Sequence, residues 1–178
     1  RPMTSEEQSG QADEAADVQI REATLEDQGS IARLFDEERT GADRSMDPGE
    51  DVHDLASHYL NEDSRSSFWV AERAGAGLVG MIGVWSAQDH HGQVRRLLVH
   101  PDHRKQGIGR RLVEAALQFC ADRGYVKVVL DTDVDQQAAI ALFKQCGFEH
   151  TRTRKKEGRD VLDFYMDLYS ARDESSDA

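Results

Sequence analysis

Apolar positions along this chain repeat with two periods, and the switches between them mark strands and helices. Val18–Glu22 predicts a short strand. Thr24 with Asp27 reads as a capping box, and Leu25, Ile31, Leu34 and Phe35 give the following helix one apolar face. Asp47-Pro48 predicts the start of a second helix, with Val52, Leu55, Ala56, Tyr59 and Leu60 on its buried side. Ser67–Arg73 and Leu78–Trp85 read as a hairpin about Ala74-Gly75-Ala76-Gly77. His91-Gly92 predicts a turn, Gln93–Val99 a strand ended by Pro101, and Arg104–Gly109 a loop.

Arg110–Arg123 predicts a helix that buries Leu112, Val113, Ala116, Leu117 and Cys120 and stops at Gly124. Tyr125–Asp131 is a β-branched strand. Gln136–Cys146 is a helix stopped by Gly147. Phe148–Lys156 and Asp160–Tyr169 form a last hairpin. The order is β-α-α-β-β-β-α-β-α-β-β, which predicts an α/β (α+β) domain on a mixed, largely antiparallel sheet over residues 17–170. Residues 1–16 and 171–178 are polar and acidic and are expected to be disordered tails, not targeting segments.

Composition changes this picture in two ways. The 178 residues carry 34 Asp or Glu against 22 Lys or Arg, a net charge of −12, which argues against nucleic acid as a partner. No run approaches a membrane span, so a cytoplasmic setting without a membrane partner is expected. There are 20 Asp among the acids and only 5 Lys among the bases. A salty cytoplasm favours such a surface, because salt screens self-repulsion; an ordinary acidic cytosolic protein with the arginine bias of a GC-rich genome gives the same counts. Cys120 and Cys146 fit neither a disulfide framework nor a metal spacing and read as small hydrophobes; no metal is expected.

Against this acidic background, Arg95 to Arg111 is a positive island. Val94–Val113 reads VRRLLVHPDHRKQGIGRRLV: a strand, a loop with two glycines, then a helix. The first amides of a helix lack internal partners and sit at the positive end of its dipole, and Gly107 and Gly109 allow close approach to the backbone. The segment is therefore a candidate anion site. No G-x-x-x-x-G-K-[ST] run of a P-loop exists, and the dinucleotide fingerprint G-x-G-x-x-G fails because position 112 is Leu.

Arg104-Lys105-Gln106-Gly107-Ile108-Gly109 resembles the R/Q-x-x-G-x-G/A signature of the GNAT superfamily of acetyl-CoA-dependent N-acetyltransferases. Leu97-Leu98-Val99-His100-Pro101 resembles the strand leading into it, and Ala139-Ile140-Ala141-Leu142-Phe143 with Gly147-Phe148 resembles a downstream family segment. The element order agrees from residue 18 to 169. The resemblance implies that the amides of Lys105 to Arg110, with Arg104, Gln106, Gly107, Ile108 and Gly109 in the loop, hold the CoA pyrophosphate. It also implies that Leu98 and Val99 pair with the pantetheine arm and that an amide near Leu98 faces the acetyl carbonyl. The implied reaction is direct attack by an amine in a ternary complex, with no metal. A homodimer through the final strands is a further expectation.

Three positions depart from the family pattern. Gln93 stands where many members place a glutamate base, Phe143 where many place a tyrosine acid, and Gln136 where an asparagine often meets the cofactor arm. Glutamine accepts no proton at neutral pH, so the base must lie elsewhere. Candidates are Asp89, His90 and His91 before the signature strand and Asp131 and Asp133 after the next; an imidazole has the suitable pKa, which favours His90 or His91. Residues 117–137 also resemble the branch containing cysteine-conjugate and aspartate N-acetyltransferases. The departures leave open a second reading, a fold member that binds acyl-CoA without turnover. The acceptor is expected between Asp36–Tyr59, rich in carboxylates that would attract a cationic amine, and Arg152–Tyr165, rich in bases.

Overall fold

The computed structural model describes residues 16–169. β1 (Val18–Glu22), β2 (Ser67–Arg73), β3 (Gly77–Ser86), β4 (His91–Val99), β5 (Lys127–Asp133), β6 (Glu149–Lys156) and β7 (Arg159–Asp167) form one sheet in the order β1-β2-β3-β4-β5-β7-β6. Only β4 and β5 run parallel; the other pairings are antiparallel. The expected mixed, largely antiparallel α/β architecture is therefore found. The expected tails fall almost wholly outside the described residues.

Helices cover both faces. On one face lie α1 (Gln28–Glu37), α2 (Gly41–Met46), α3 (Glu50–His53) and α4 (Leu55–His58). Ile31, Leu34, Val52, Leu55 and Tyr59 pack there against Phe68, Val70 and Met81. On the other face lie α5 (Ile108–Asp122) and α6 (Gln137–Gln145). Leu112, Val113, Ala116 and Cys120 pack there against Trp69, Ala71 and Ile82. The alternation of Phe68, Trp69, Val70 and Ala71 between the two clusters is the period-2 signature of a strand buried on both sides. Burial pushes the Cys120 thiol up to about 12, so it behaves as a small hydrophobe.

Three local expectations are corrected. The Thr24–Asp27 capping box exists, with Thr24 N donating to Asp27 at 2.8 Å, but it opens a 3-10 turn in which Leu25 is 58% exposed. The tighter turn rotates Leu25 off the face shared by Ile31, Leu34 and Phe35. The single helix expected from Asp47 is two one-turn helices, because the Asp54 side chain accepts from Ser57 N at 3.2 Å and starts a new turn. That restart keeps Val52, Leu55 and Tyr59 inside and leaves Ala56 exposed. His91 and Gly92 lie in β4, not in a turn; Gly92 faces Cys120, where a Cβ would come within 2.8 Å of the sulfur. α2 was not expected, although Thr40 and Asp43 form a second capping box legible in the sequence.

Candidate active site

The sheet opens in its middle. β4 and β5 pair only at His91–Gln93 with Lys127–Val129. Beyond that point β4 stays with β3 to Val99, while β5 stays with β7 to Asp133. The strands diverge into a cleft of about 610 Å³ lined by Val94–Leu98 on one side and Leu130–Asp133 on the other.

One irregularity in β4 sets the chemistry of this edge. Met81 pairs with Leu98 and Gly83 with Arg95, so two residues, Arg96 and Leu97, oppose Ile82 alone. This is a β-bulge, and Arg96 takes a left-handed φ of 59°. His100 N donates to the opposed Val79 O at 2.8 Å, which makes the next-but-one pair, Leu98–Met81, hydrogen-bonded as well. The N–H of Leu98 therefore points at β3. The Leu98 amide is therefore not on the open edge, and of the amides near Leu98 it is those of its neighbours that face the cleft. Leu97 and Val99, which alternate with it, turn their backbone groups to the open edge. The Val99 carbonyl is already engaged there, accepting from Arg104 Nε at 3.0 Å.

After β4 comes a 3-10 turn, Pro101–His103, then the loop Arg104–Gly107 and the N-terminus of α5. Gly107 caps α5 with φ 79°, and no side chain caps the first amides. A Cβ on Gly107 would meet nothing within 4 Å. Ile108 is 1% exposed, so its side chain belongs to the core and only its backbone can serve a ligand. Open space over uncapped helix amides is what a phosphate needs. The loop is tied down from β2: Arg73 Nη2 donates to Gln106 Oε1 at 2.6 Å, and Nη1 meets His103. Lys105 is exposed, and Arg110 pairs with Glu114 at 3.2 Å.

The sequence of residues 30–148 matches that of the acetyltransferase (GNAT) family. The chain belongs to this family. It is 38% identical over 123 residues to rat N-acetyltransferase 8, covering 66% of this chain and 53% of that protein. It is 41% identical over 106 residues to human N-acetyltransferase 8, covering 57% and 46%. The chain thus spans about half the length of these curated relatives. An acetyltransferase of the GNAT family from Staphylococcus aureus shares the fold at TM-score 0.69 and 17% identity, covering 85% of this chain and 99% of that one. The spermidine N-acetyltransferase variant from Vibrio cholerae does so at TM-score 0.68 and 19% identity, covering 90% and 99%.

Among the described residues this GNAT chain has no helix long and apolar enough to cross a membrane, and no cluster of three or more metal-type ligands. Gln136 stands at the N-cap of α6 at the cleft, and Phe143 lines it too, edge-to-face with Phe148 at 5.7 Å between ring centres. Gln93 is occupied elsewhere, its Oε1 accepting from Arg95 Nε at 3.0 Å.

The structure does not bring His90 and His91 to the cleft. They lie at the start of β4, where His90 O accepts from Val126 N and His91 pairs with Lys127. Six residues of strand at ~3.3 Å each put His91 roughly 20 Å from Leu97. Asp89 shares that distant turn, with φ 59°. Asp131 and Asp133 do line the cleft, but Asp131 accepts from Arg154 at 3.0 Å and Asp133 lies 3.5 Å from Arg159. Glu38 and Glu157 are cleft carboxylates without a cationic partner among the described residues, and the sequence reading missed both. No periodicity marks them, because each becomes a cleft residue only where its element ends.

The acid-rich stretch Asp36–Tyr59 is largely spent on internal contacts. Asp36 pairs with His53 at 2.9 Å, Asp43 with Arg159, and Asp47 and Asp51 with Arg96. Arg39, over the Phe35 ring at 4.2 Å, and Arg95, over Trp85 at 4.9 Å, have no carboxylate partner among the described residues. The cleft wall is thus far less acidic than the sequence suggests.

Proposed function

We propose that this protein transfers the acetyl group of acetyl-CoA to a primary amine bound in the same cleft. The observation that carries the reading is the diverging β4–β5 edge, which runs from the open-edge backbone of Leu97 past Val99, whose carbonyl Arg104 holds, to the uncapped N-terminus of α5. The pyrophosphate would sit on the amides of Lys105 to Arg110, with Gln106 and Gly107 shaping the loop. Val99 would pair with the pantetheine arm, and Gln136 and Phe143 would flank it.

In this reading the amine nitrogen attacks the thioester carbon and a C–N bond forms. Charge develops on the carbonyl oxygen beside the Leu97 N–H, which takes the part first assigned to Leu98. The C–S bond then breaks and the CoA thiolate leaves. A thiol pKa near ~8.5 makes it a tolerable leaving group without a tyrosine at position 143. With Gln93 at the usual base position, the proton lost by the amine goes to solvent or to Glu38 or Glu157. Most of the acceleration then comes from positioning.

Arg39 and Arg95 favour an acceptor that carries an anionic group beside its amine over a polycation. Thiol release from acetyl-CoA, measured with α-amino acids, their amides, peptides and polyamines, tests both points. Turnover confined to polyamines would overturn the acceptor class. The positions Gln93 and Phe143 support a second reading, an acyl-CoA sensor; tight acetyl-CoA binding with no turnover across that panel would favour it.

A further inference from the structure

The Leu97 N–H belongs to the peptide that joins it to Arg96, so the backbone angles of Arg96 aim it. Arg96 is not glycine, yet it sits at φ 59°, a conformation most side chains avoid. Something must hold it there. Its guanidinium is held by four hydrogen bonds: Nη1 and Nη2 on Asp47, the latter at 3.1 Å, Nη2 on Asp51 Oδ1 at 2.6 Å, and Nε on Asp51 Oδ2 at 3.1 Å. The Phe35 ring lies 5.0 Å away. Asp51 is itself fixed, since Tyr59 donates to its Oδ2 at 2.6 Å. Asp51 and Tyr59 are buried at 7% and 1% exposure. Burial alone would raise the Asp51 carboxyl, but the hydrogen bonds of Arg96 and Tyr59 outweigh it and keep the carboxylate ionised.

We propose that the Asp51–Tyr59 pair, with Asp47, clamps Arg96 so that the strained bulge aims the Leu97 N–H at the acetyl carbonyl. Arg96, Asp47 and Asp51 are then positioning residues. The clamp ties the α2–α4 segment, which carries Asp47 and Asp51, to the bulge of β4. Bidentate, buried charge pairing is suited to this, because it fixes direction as well as distance. The inference rests on the acetyl-CoA reading of the cleft and adds to it a cause for the geometry.

Arg96→Gly separates the clamp from the bulge. Glycine tolerates φ 59°, so the backbone path survives while the grip is removed. Two readouts on the full chain are needed. Calorimetry gives the affinity for acetyl-CoA, and the infrared stretch of carbonyl-labelled acetyl-CoA reports the hydrogen bond to its carbonyl without any acceptor. The expected result is a Kd within about threefold of wild type, set by the loop amides, with the carbonyl band moved back toward its frequency in free solution. With an active amine, kcat should fall about tenfold to a hundredfold while the KM for acetyl-CoA holds, in the range set by oxyanion-donor losses. Arg96→Lys should recover part of both signals. Asp47→Asn, at the exposed end of the clamp and with little risk to folding, should shift the band in the same direction but less. An unchanged carbonyl band and kcat in Arg96→Gly and Asp47→Asn would overturn the clamp while leaving the cofactor reading intact. Failure of the wild type to bind acetyl-CoA would overturn both.

Discussion

Arg73 on β2 donates from Nη2 to Oε1 of Gln106, 2.6 Å away in the loop that precedes α5, and its Nε reaches Asp17 at 3.1 Å. A strand two places from β4 in the sheet thus braces the loop proposed for the pyrophosphate. A braced loop loses little freedom on binding, so the brace contributes to affinity and not to the chemical step. Arg73→Met is expected to raise the Kd for acetyl-CoA about tenfold with kcat little changed, the pattern of lost uniform binding. Titration calorimetry beside steady-state kinetics checks it, and a fall in kcat at constant Kd would contradict it.

Gly107→Trp fills the open space above the first amides of α5. It also strains a φ of 79°, so a control of equal strain is needed. Gly75→Trp supplies it, at φ 81° in the β2–β3 turn and equally free of neighbours. Gly107→Trp should lose acetyl-CoA-dependent thermal stabilisation entirely, and Gly75→Trp should keep it. Normal stabilisation of the Gly107 variant would remove the loop from the cofactor site.

Gln93 holds Arg95 and takes no proton, and His91 stands roughly 20 Å along β4 from Leu97, with His90 beyond it. Without an imidazole at the cleft, kcat/KM should follow the neutral fraction of the acceptor amine. Its logarithm should climb with unit slope through pH 7–9 and level off only near the pKa of the amine itself. His90→Ala together with His91→Ala should leave the profile unmoved. An inflection near ~6.5 that disappears in the double variant would restore an imidazole base.

Stability should have an acid limb and a shallower alkaline one. Asp27 is held below the usual carboxylate value by the Arg21 guanidinium, and Asp47 by Arg96. Asp51 is likewise depressed, since the Arg96 and Tyr59 hydrogen bonds outweigh its burial. Their contributions are complete above the unfolded value of ~4 and vanish as pH falls through the lower folded values. His53 is raised by the Asp36 carboxylate, so its contribution is present below ~6.5 and fades as pH rises through its folded value. Urea unfolding at several pH values should show both limbs. Asp51→Ala, which strands Arg96 and the Tyr59 hydroxyl, should cost about 3–5 kcal/mol, as broken buried pairs do. A loss under ~1 kcal/mol would mean that water replaces the carboxylate.

The seven strands, the two long helices after β4 and β5, and the glycine loop were legible in the sequence because each depends on local pattern: period, a breaker, a positive-φ glycine. Residues 104–109 are the clearest instance: their spacing marks the loop and places the helix after it, which begins at Ile108, two residues before the expected Arg110. What the local pattern could not supply was distance between segments remote in sequence. His90 and His91 sit three and two residues before Gln93, close in sequence and at the wrong end of a strand that carries each residue ~3.3 Å further. Nor could alternation locate the bulge at Arg96, where one extra residue reverses which amides face the gap, so that Leu97 and not Leu98 turns its N–H to the open edge. The carboxylates of residues 36–54 read as an acidic wall until folding set Arg96, Arg159 and His53 against them. Charge is written in the sequence, but whether a charge is free or spent is decided by its partners, and only the tertiary structure chooses those.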